Sequence, residues 1–488
     1  MQTNPPNIIL ILMDTAGAKH MSTYGYHRRT TPQLERLAEK ATVFSRCFAP
    51  GSWTLPSHAS LFTGLYPSEH KVDGDDIDNL VLSPTYQHLV NILKQANYFT
   101  YAVTNSSLVV PVYGICRDFD VCIDYSMEGA VQAGLSASPD PEVRELFNRL
   151  FQPGSNWDRL RHSLDYSWRK HDLKILFNIA KLFFFRHFNV GTYNYSSPTT
   201  KRCFRTARKM IDKHCQKNTG RPFFFFINVI ENHALYNPPK SFRYFSRKTD
   251  RHSLDPFKLF NEDYADQLPS LMPVWKNLYD DTMLFLDSII GQFLDYLEFR
   301  KLTENTVIII TSDHGEHFGE KGFYQHKFSL FNEILSIPLV ISYPDDFSIP
   351  GNRDDRLVSL QDLFSTMLDL IDSPFPRPQH SLSLASSERR KSVAAMNLKP
   401  VEQKIRLAAM LNKPREWAEN INFHRYAMIL DNNIKLLEDD KGNVAIFHLA
   451  RDPQEEHDLS DTLGPEMKQE LFLLLKQDQQ QVRYFPES

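Results

Sequence analysis

Short apolar runs alternate with amphipathic stretches along the first three quarters of the chain. Asn7-Ile-Ile-Leu-Ile-Leu-Met13 is a continuous apolar run after its first residue and rich in β-branched residues. Such a run reads as a strand buried on both faces of a sheet. Residues 100–104, 222–230, 305–311 and 337–342 read the same way, and residues 41–45 read as an edge strand. Between them the apolar spacing turns helical. Thr31-Pro32 starts one helix with Leu34, Leu37 and Ala38 on its stripe, and residues 84–94 predict another. A longer helix is expected over 273–299, with Leu278, Phe285, Ile289, Phe293 and Leu297 as its core positions. After about residue 420 the pattern changes to short strands at 426–430, 434–437 and 445–449. Asp431-Asn-Asn433 and Asp440-Lys-Gly-Asn443 supply the hairpin turns between them, and residues 464–485 form a closing amphipathic helix.

Strands alternating with helices, each strand ending in a polar loop, predict an α/β fold. The expected architecture is a large, mainly parallel central sheet with helices on both faces. A small C-terminal antiparallel sheet follows. Residues 1–380 are assigned to the catalytic domain, with 141–215 as a basic, aromatic helical insertion, and 420–488 to the small domain. Residues 373–392, rich in Pro, Ser and Arg, read as a linker or long surface loop.

Composition adds exclusions. The 488 residues are 42% apolar and 23% charged, as in ordinary globular proteins, and the net charge of −4 gives no reason to expect a nucleic-acid partner. Five scattered cysteines, an odd number without Cys-x-x-Cys spacing, argue against a disulfide framework and a zinc–thiolate site. No signal-peptide pattern or membrane-length apolar run is visible, so the expected compartment is cytoplasmic. Within the insertion, residues 173–186 have a broad apolar face edged by Lys174, Lys181 and Arg186. That face fits either peripheral contact with a membrane or packing on the domain with snorkelling basic rims, and packing is preferred. The oligomeric state stays open.

The candidate chemistry lies where strands end. Asp14 follows the first strand, and Asp313-His314 follows the strand at 305–311. In open α/β sheets that carboxyl edge is where ligands bind. Trp53-Thr-Leu-Pro-Ser-His-Ala-Ser-Leu-Phe-Thr-Gly64 follows the loop Ala49-Pro-Gly51 and opens a helix, whose N-terminus favours anions. Taken singly, Thr54 is as consistent with a helix cap, and Asp14 with a loop cap, as either is with catalysis. Taken together, Asp14, Asp313, His314 and the Thr54 hydroxyl make a seat for one divalent cation, with Mn, Mg, Ca and Zn all left open. Such a cation lowers the proton affinity of the hydroxyl and neutralises charge on an attacked phosphate or sulfate. His233, His326 and Lys327 lie in later loops, placed to hold outer oxygens or protonate a leaving group.

These segments carry a resemblance to the sulfatase family within the alkaline phosphatase superfamily. They are residues 7–14, 54–64 with Leu65-Tyr-Pro67, Glu231-Asn-His233, Thr311-Ser-Asp-His-Gly-Glu316, His326-Lys327 and Ala450-Arg-Asp-Pro-Gln-Glu-Glu-His-Asp-Leu459. The resemblance spans nearly the whole chain, the insertion least. It implies a parallel sheet core, one divalent metal held by Asp14, Asp313 and His314, and Thr54 as both nucleophile and ligand. His233, His326 and Lys327 fall on the substrate side.

The chain departs from the family pattern at telling places. Sulfatases carry Cys or Ser at the position of Thr54, oxidised to formylglycine, and Thr cannot give that aldehyde. His58 replaces the usual Arg after Pro-Ser, Met13-Asp14 replaces the paired Asp, and Asn105 with Ser107 stands where Lys-x-His is usual. His58 and Asn105 become the expected substrate contacts. The leading expectation is therefore a metal-dependent hydrolase or transferase cleaving a phosphate ester, with a diester preferred, through Thr54, without formylglycine, on a small-molecule or lipid-headgroup substrate. A sulfatase with atypical activation is the second reading. A catalytically degenerate protein binding an anion or a membrane is the third.

Overall fold

The computed structural model describes residues 5–73, 80–126, 196–217, 220–248, 250, 268–326, 328–344, 353–398, 408, 416 and 423–484. The strands in chain order are β1 (Asn7–Met13), β2 (Thr42–Phe48), β3 (Phe99–Thr104), β4 (Val121–Asp124), β5 (Phe223–Val229) and β6 (Thr306–Thr311). Then come β7 (His317–Phe318), β8 (Tyr324–Gln325), β9 (Ser336–Ile337), β10 (Leu339–Ser342) and β11 (Arg353–Ser359). The large sheet runs β11-β2-β10-β6-β1-β5-β3-β4, with β9 beside β2, while β7 and β8 pair as a separate hairpin. Its pairs are parallel except those of β10 with β2 and β6 and of β9 with β2.

Successive residues of β1 serve opposite faces, as the two-residue strand period requires. Ile8, Leu10 and Leu12 join one buried cluster with α2 (Thr54–Thr63), α4 (Leu89–Gln95) and α8 (Asp362–Leu370). Ile9, Ile11 and Met13 join the other, with α1 (Pro32–Ala38), α5 (Ser196–Gln216) and α6 (Leu268–Phe299). A sheet covered on both faces explains why its central strands read as unbroken apolar runs. Two short helices matter below: α3 (Pro67–His70) and α7 (Asn332–Leu335).

The small sheet is antiparallel, in the order β12 (Ser392–Met396), β13 (His424–Leu430), β14 (Ile434–Asp439) and β15 (Val444–His448). One face packs into the first core through Val393, Ala395, Ala427, Ile429 and Leu437. The other meets α9 (Pro465–Gln481) through Met396, Met428, Leu436, Leu471 and Leu475, with Tyr66 joining from the α2–α3 turn.

Three expectations need correction. The stretch at 41–45 is not an edge strand, because β2 lies between β10 and β11. Its partner β11 begins Arg353-Asp-Asp-Arg356, and those charges hide a strand whose last three residues are buried. The small sheet also begins before residue 420, at β12. The helix expected at 84–94 starts only at Leu89. Of the 141–215 insertion only α5 is described, and residues 173–186 lie outside the described residues. All five cysteines are free. Among the described residues no helix is long and apolar enough to cross a membrane.

Candidate metal and nucleophile site

Strand register builds the site. Leu12 of β1 pairs with Thr311 of β6, so Asp14 and Asp313 each lie two residues past a matched pair. On the other side Met13 pairs with Val229, and the Asp14 N–H donates to the Val229 carbonyl at 2.9 Å. The loop carrying His233 therefore starts beside Asp14. One ligand atom from each of Asp14, Asp313 and His314 lies within 4.8 Å of the others, and all three residues are buried.

Neighbouring groups fix each of these side chains. Thr15 sits at φ 63°, a left-handed conformation that costs a β-branched residue energy. That conformation directs its N–H to Asp313 Oδ1 at 3.0 Å. The Thr15 hydroxyl donates to Asp14 Oδ1 at 2.6 Å, and its carbonyl accepts from the Tyr279 hydroxyl at 2.8 Å. Asp313 Oδ1 also accepts from the His314 N–H at 2.9 Å, whereas Oδ2 is buried with no hydrogen-bond partner. His314 Nδ1 lies 2.9 Å from the Gly315 carbonyl. A carbonyl only accepts, so Nδ1 carries the proton and the Nε2 lone pair is free for a ligand. Nε2 lies 3.5 Å from Asp313 Oδ2, 3.9 Å from Asp14 Oδ1 and 3.5 Å from Thr54 Oγ1.

Thr54 opens α2 after Trp53, whose extended backbone (φ −160°) turns the chain into the helix. The Trp53 indole N–H donates to Asp73 Oδ1 at 2.6 Å, and the Ser52 hydroxyl donates to Asn397 Oδ1 at 2.6 Å. The Thr54 side chain is thus held at the cluster. His58, one turn later and fully buried, places Nδ1 2.8 Å from the Thr54 carbonyl and Nε2 3.2 Å from Asn228 Oδ1. Its Nδ1 is 3.7 Å from Asp313 Oδ2, so it backs the cluster from inside the fold.

His326 stands against the same group, its ring 4.4 Å from that of His314 and 5.2 Å from that of His233. His233 Nδ1 lies 2.8 Å from the Ala234 carbonyl. His326 Nδ1 lies 2.9 Å from Glu316 Oε1, and Glu316 Oε2 accepts from the Tyr236 hydroxyl at 2.8 Å. Asn105 is held elsewhere. Its amide donates to Thr199 and Thr200 at the start of α5 and accepts from the Ile230 N–H. Lys327 lies outside the described residues.

Electrostatics favour a bound cation. Burial pushes the Asp313 carboxyl up, against His58 and the backbone N–H groups that pull it down. Burial likewise raises Glu316 to about 7. Burial, then His326, lowers His314 to about 3, leaving its imidazole neutral as a metal ligand requires. Burial also acts to lower His233, but the charges of Asp14 and Glu316 outweigh it, and the net shift is upward. The unpartnered Asp313 oxygen and the lone pair of His314 fit a divalent cation.

The sequence profile of the sulfatase family matches residues 6–373. This chain belongs to the sulfatase family. It is similar to the N-acetylglucosamine-6-O-sulfatase of Bacteroides thetaiotaomicron, with 22% identity over 99% of this chain and 88% of the relative. It is also similar to human N-acetylgalactosamine-6-sulfatase, with 23% identity over 93% and 82%. Among solved structures, a protein bound to D-glucosamine-2-N,6-O-disulfate superimposes with TM-score 0.66 at 17% identity, covering 98% of both chains. The phosphonate monoester hydrolase of Agrobacterium radiobacter gives 0.65 at 16% identity, over 98% of this chain and 95% of its own. The relatives of this sulfatase-family chain are hydrolases of sulfate or phosphonate esters, and the fold is theirs.

Thr15, Glu316, Tyr236 and Tyr279 were not singled out in the sequence. Thr15 and Glu316 stand inside or next to the resemblance segments, but nothing in their residue type marks them. Tyr279 lies on the apolar stripe of α6, where it reads as core. Glu333 is a further addition: its carboxylate takes Lys19 at 2.9 Å and Lys321 at 3.2 Å. Burial works to raise it, yet the two lysines and His317 hold it at about 2, well below the usual 4.5. A depressed carboxylate contributes stability above its unfolded pKa and loses it as pH falls through the folded one. We expect roughly 3 kcal/mol to be lost between about pH 4.5 and pH 2 from this group. Urea unfolding across that window should show the loss, and Glu333→Gln should flatten that part of the profile.

Proposed function

We propose that this chain is a metal-dependent hydrolase that cleaves a phosphate diester with the Thr54 hydroxyl as nucleophile. The observation that supports this most directly is the position of that hydroxyl, 3.5 Å from His314 Nε2 within the Asp14–Asp313–His314 cluster. Asp14, Asp313 and His314 would hold the metal, with Thr54 completing the set; no formylglycine is involved. A divalent ion there supplies Lewis acidity toward a bound oxyanion and lowers the proton affinity of the hydroxyl. Thr54 Oγ1 gives up its proton to solvent and attacks phosphorus, the bond to the leaving oxygen breaks, and that oxygen takes a proton from His233 or His326. Water then cleaves the threonyl phosphate. His58 braces the Thr54 turn, and Lys327 is assigned to the substrate's outer oxygens, while Asn105 is engaged with α5 and the end of β5. A small-molecule or lipid-headgroup ester is the substrate class.

A sulfate ester is the second reading, favoured by the sulfated sugars named for the relatives. Turnover of bis-aryl phosphate, aryl phosphate and aryl sulfate, each with Mn, Mg, Ca or Zn added, separates the two. We expect the diester to be fastest. Preference for aryl sulfate would reverse the order, and no turnover with any metal would leave only ligand binding as a role.

A further inference from the structure

The small C-terminal sheet carries an ion pair with no exposure to solvent. Lys435 Nζ on β14 lies 2.6 Å from Glu455 Oε1, and both side chains are 0% exposed. Taking two charges out of water costs several kcal/mol each, and a well-packed apolar pair is often as stable. A pair kept under those terms is best explained by what it positions. Both members reach the start of α7. Lys435 Nζ donates to Asn332 Oδ1 at 2.9 Å, and the Asn332 N–H donates to Glu455 Oε2 at 2.7 Å. The short helix has no side-chain cap of its own, so Glu455 satisfies one of the N–H groups left without a partner inside the helix. Phe331, just before it, lies under Lys321 at 4.5 Å and Lys435 at 6.0 Å.

The far side of α7 faces the metal-ligand loops. The Gly315 N–H donates to the Ile334 carbonyl at 2.8 Å. A Cβ on Gly315 would fall 2.1 Å from the Glu333 carbonyl oxygen, so the two backbones meet with no room for a side chain. The Gly315 carbonyl in turn fixes the His314 ring through Nδ1. Glu333 also holds Lys19, from the loop that follows Asp14. Both strand-end loops of the cluster therefore lean on one short helix.

We infer that the Lys435–Glu455 pair is a positioning device for the metal centre: the small sheet sets the place of α7, and α7 sets His314 and the loop after Asp14. The inference rests on reading Asp14, Asp313 and His314 as metal ligands, so wild-type protein titrated with Mn²⁺, Mg²⁺, Ca²⁺ and Zn²⁺ by calorimetry is the first arm. Absence of binding there overturns that reading and this one together. The second arm is the double variant Lys435→Leu/Glu455→Leu, which removes both charges and both bonds to Asn332. It should unfold cooperatively near the wild-type temperature while its metal Kd rises about 10- to 100-fold. Glu455→Gln keeps an acceptor for the Asn332 N–H, so its metal Kd should stay within about threefold even where its melting temperature drops. Should the double variant not fold, Asn332→Ala removes the Lys435 link alone and should still weaken the metal severalfold. A folded double variant, or a folded Asn332→Ala variant in its place, with wild-type metal affinity overturns the inference while leaving the metal site standing.

Discussion

Thr54→Ala is expected to lower turnover of a phosphate diester by about 10³-fold or more, and Thr54→Ser by no more than about tenfold. The contrast follows from where the hydroxyl sits. Thr54 is 2% exposed, at the first position of α2, with its oxygen facing His314 Nε2. Alanine removes that oxygen and one methyl but leaves the turn in place, because the turn is held by Trp53 on Asp73 and Ser52 on Asn397 rather than by Thr54. Serine keeps the oxygen and frees one rotor, so it loses positioning but not chemistry. Metal affinity should change far less than kcat, since Asp14, Asp313 and His314 remain. Steady-state kinetics on a bis-aryl phosphate, with metal binding measured in parallel on both variants, checks the two halves. Full activity in Thr54→Ala would remove the nucleophile from the mechanism.

The central sheet was legible because both of its faces are covered. Residues 7–13 needed no more than their apolar run to be placed, and the observed strand has the same bounds. Where one face or one end meets charge, the pattern failed. β11 opens with Arg353-Asp-Asp-Arg356, and its absence made β2 look like an edge. β12 was lost because Ser392 follows a run of Ser and Arg that reads as loop. Within the site, Asp14, Thr54, Asp313 and His314 were readable, since each lies where a strand or loop ends before a turn. Their supports were not. Tyr279 holds Thr15 from the middle of α6, and Glu316 takes His326 and Tyr236. Such contacts join residues far apart in sequence, and no local spacing encodes them. Asn105 shows the converse: a polar residue at a strand end whose amide ties α5 to the end of β5.

Asp313→Asn is expected to make the metal-free protein more stable and to abolish its response to metal. The carboxylate divides into two unequal halves. Oδ1 accepts from the Thr15 and His314 N–H groups, and an asparagine carbonyl can accept both. Oδ2 is buried, without a hydrogen bond, 3.5 Å from the His314 Nε2 lone pair. There an anionic oxygen carries a desolvation cost that a neutral amide does not, and the amide N–H faces an acceptor. Leaving a buried charged atom unsatisfied costs at least about 1–3 kcal/mol, so the melting temperature without metal should rise accordingly. With metal the order reverses. A ligand that binds only the folded state stabilises it by about 2.7 kcal/mol at 100 times its Kd, and Asp313→Asn should lose nearly all of that increment. Thermal melts of both proteins, with chelator and with saturating Mn²⁺, measure the crossing directly. A variant that gains nothing in chelator and still shifts upward with metal would mean that Oδ2 is not where a cation is held.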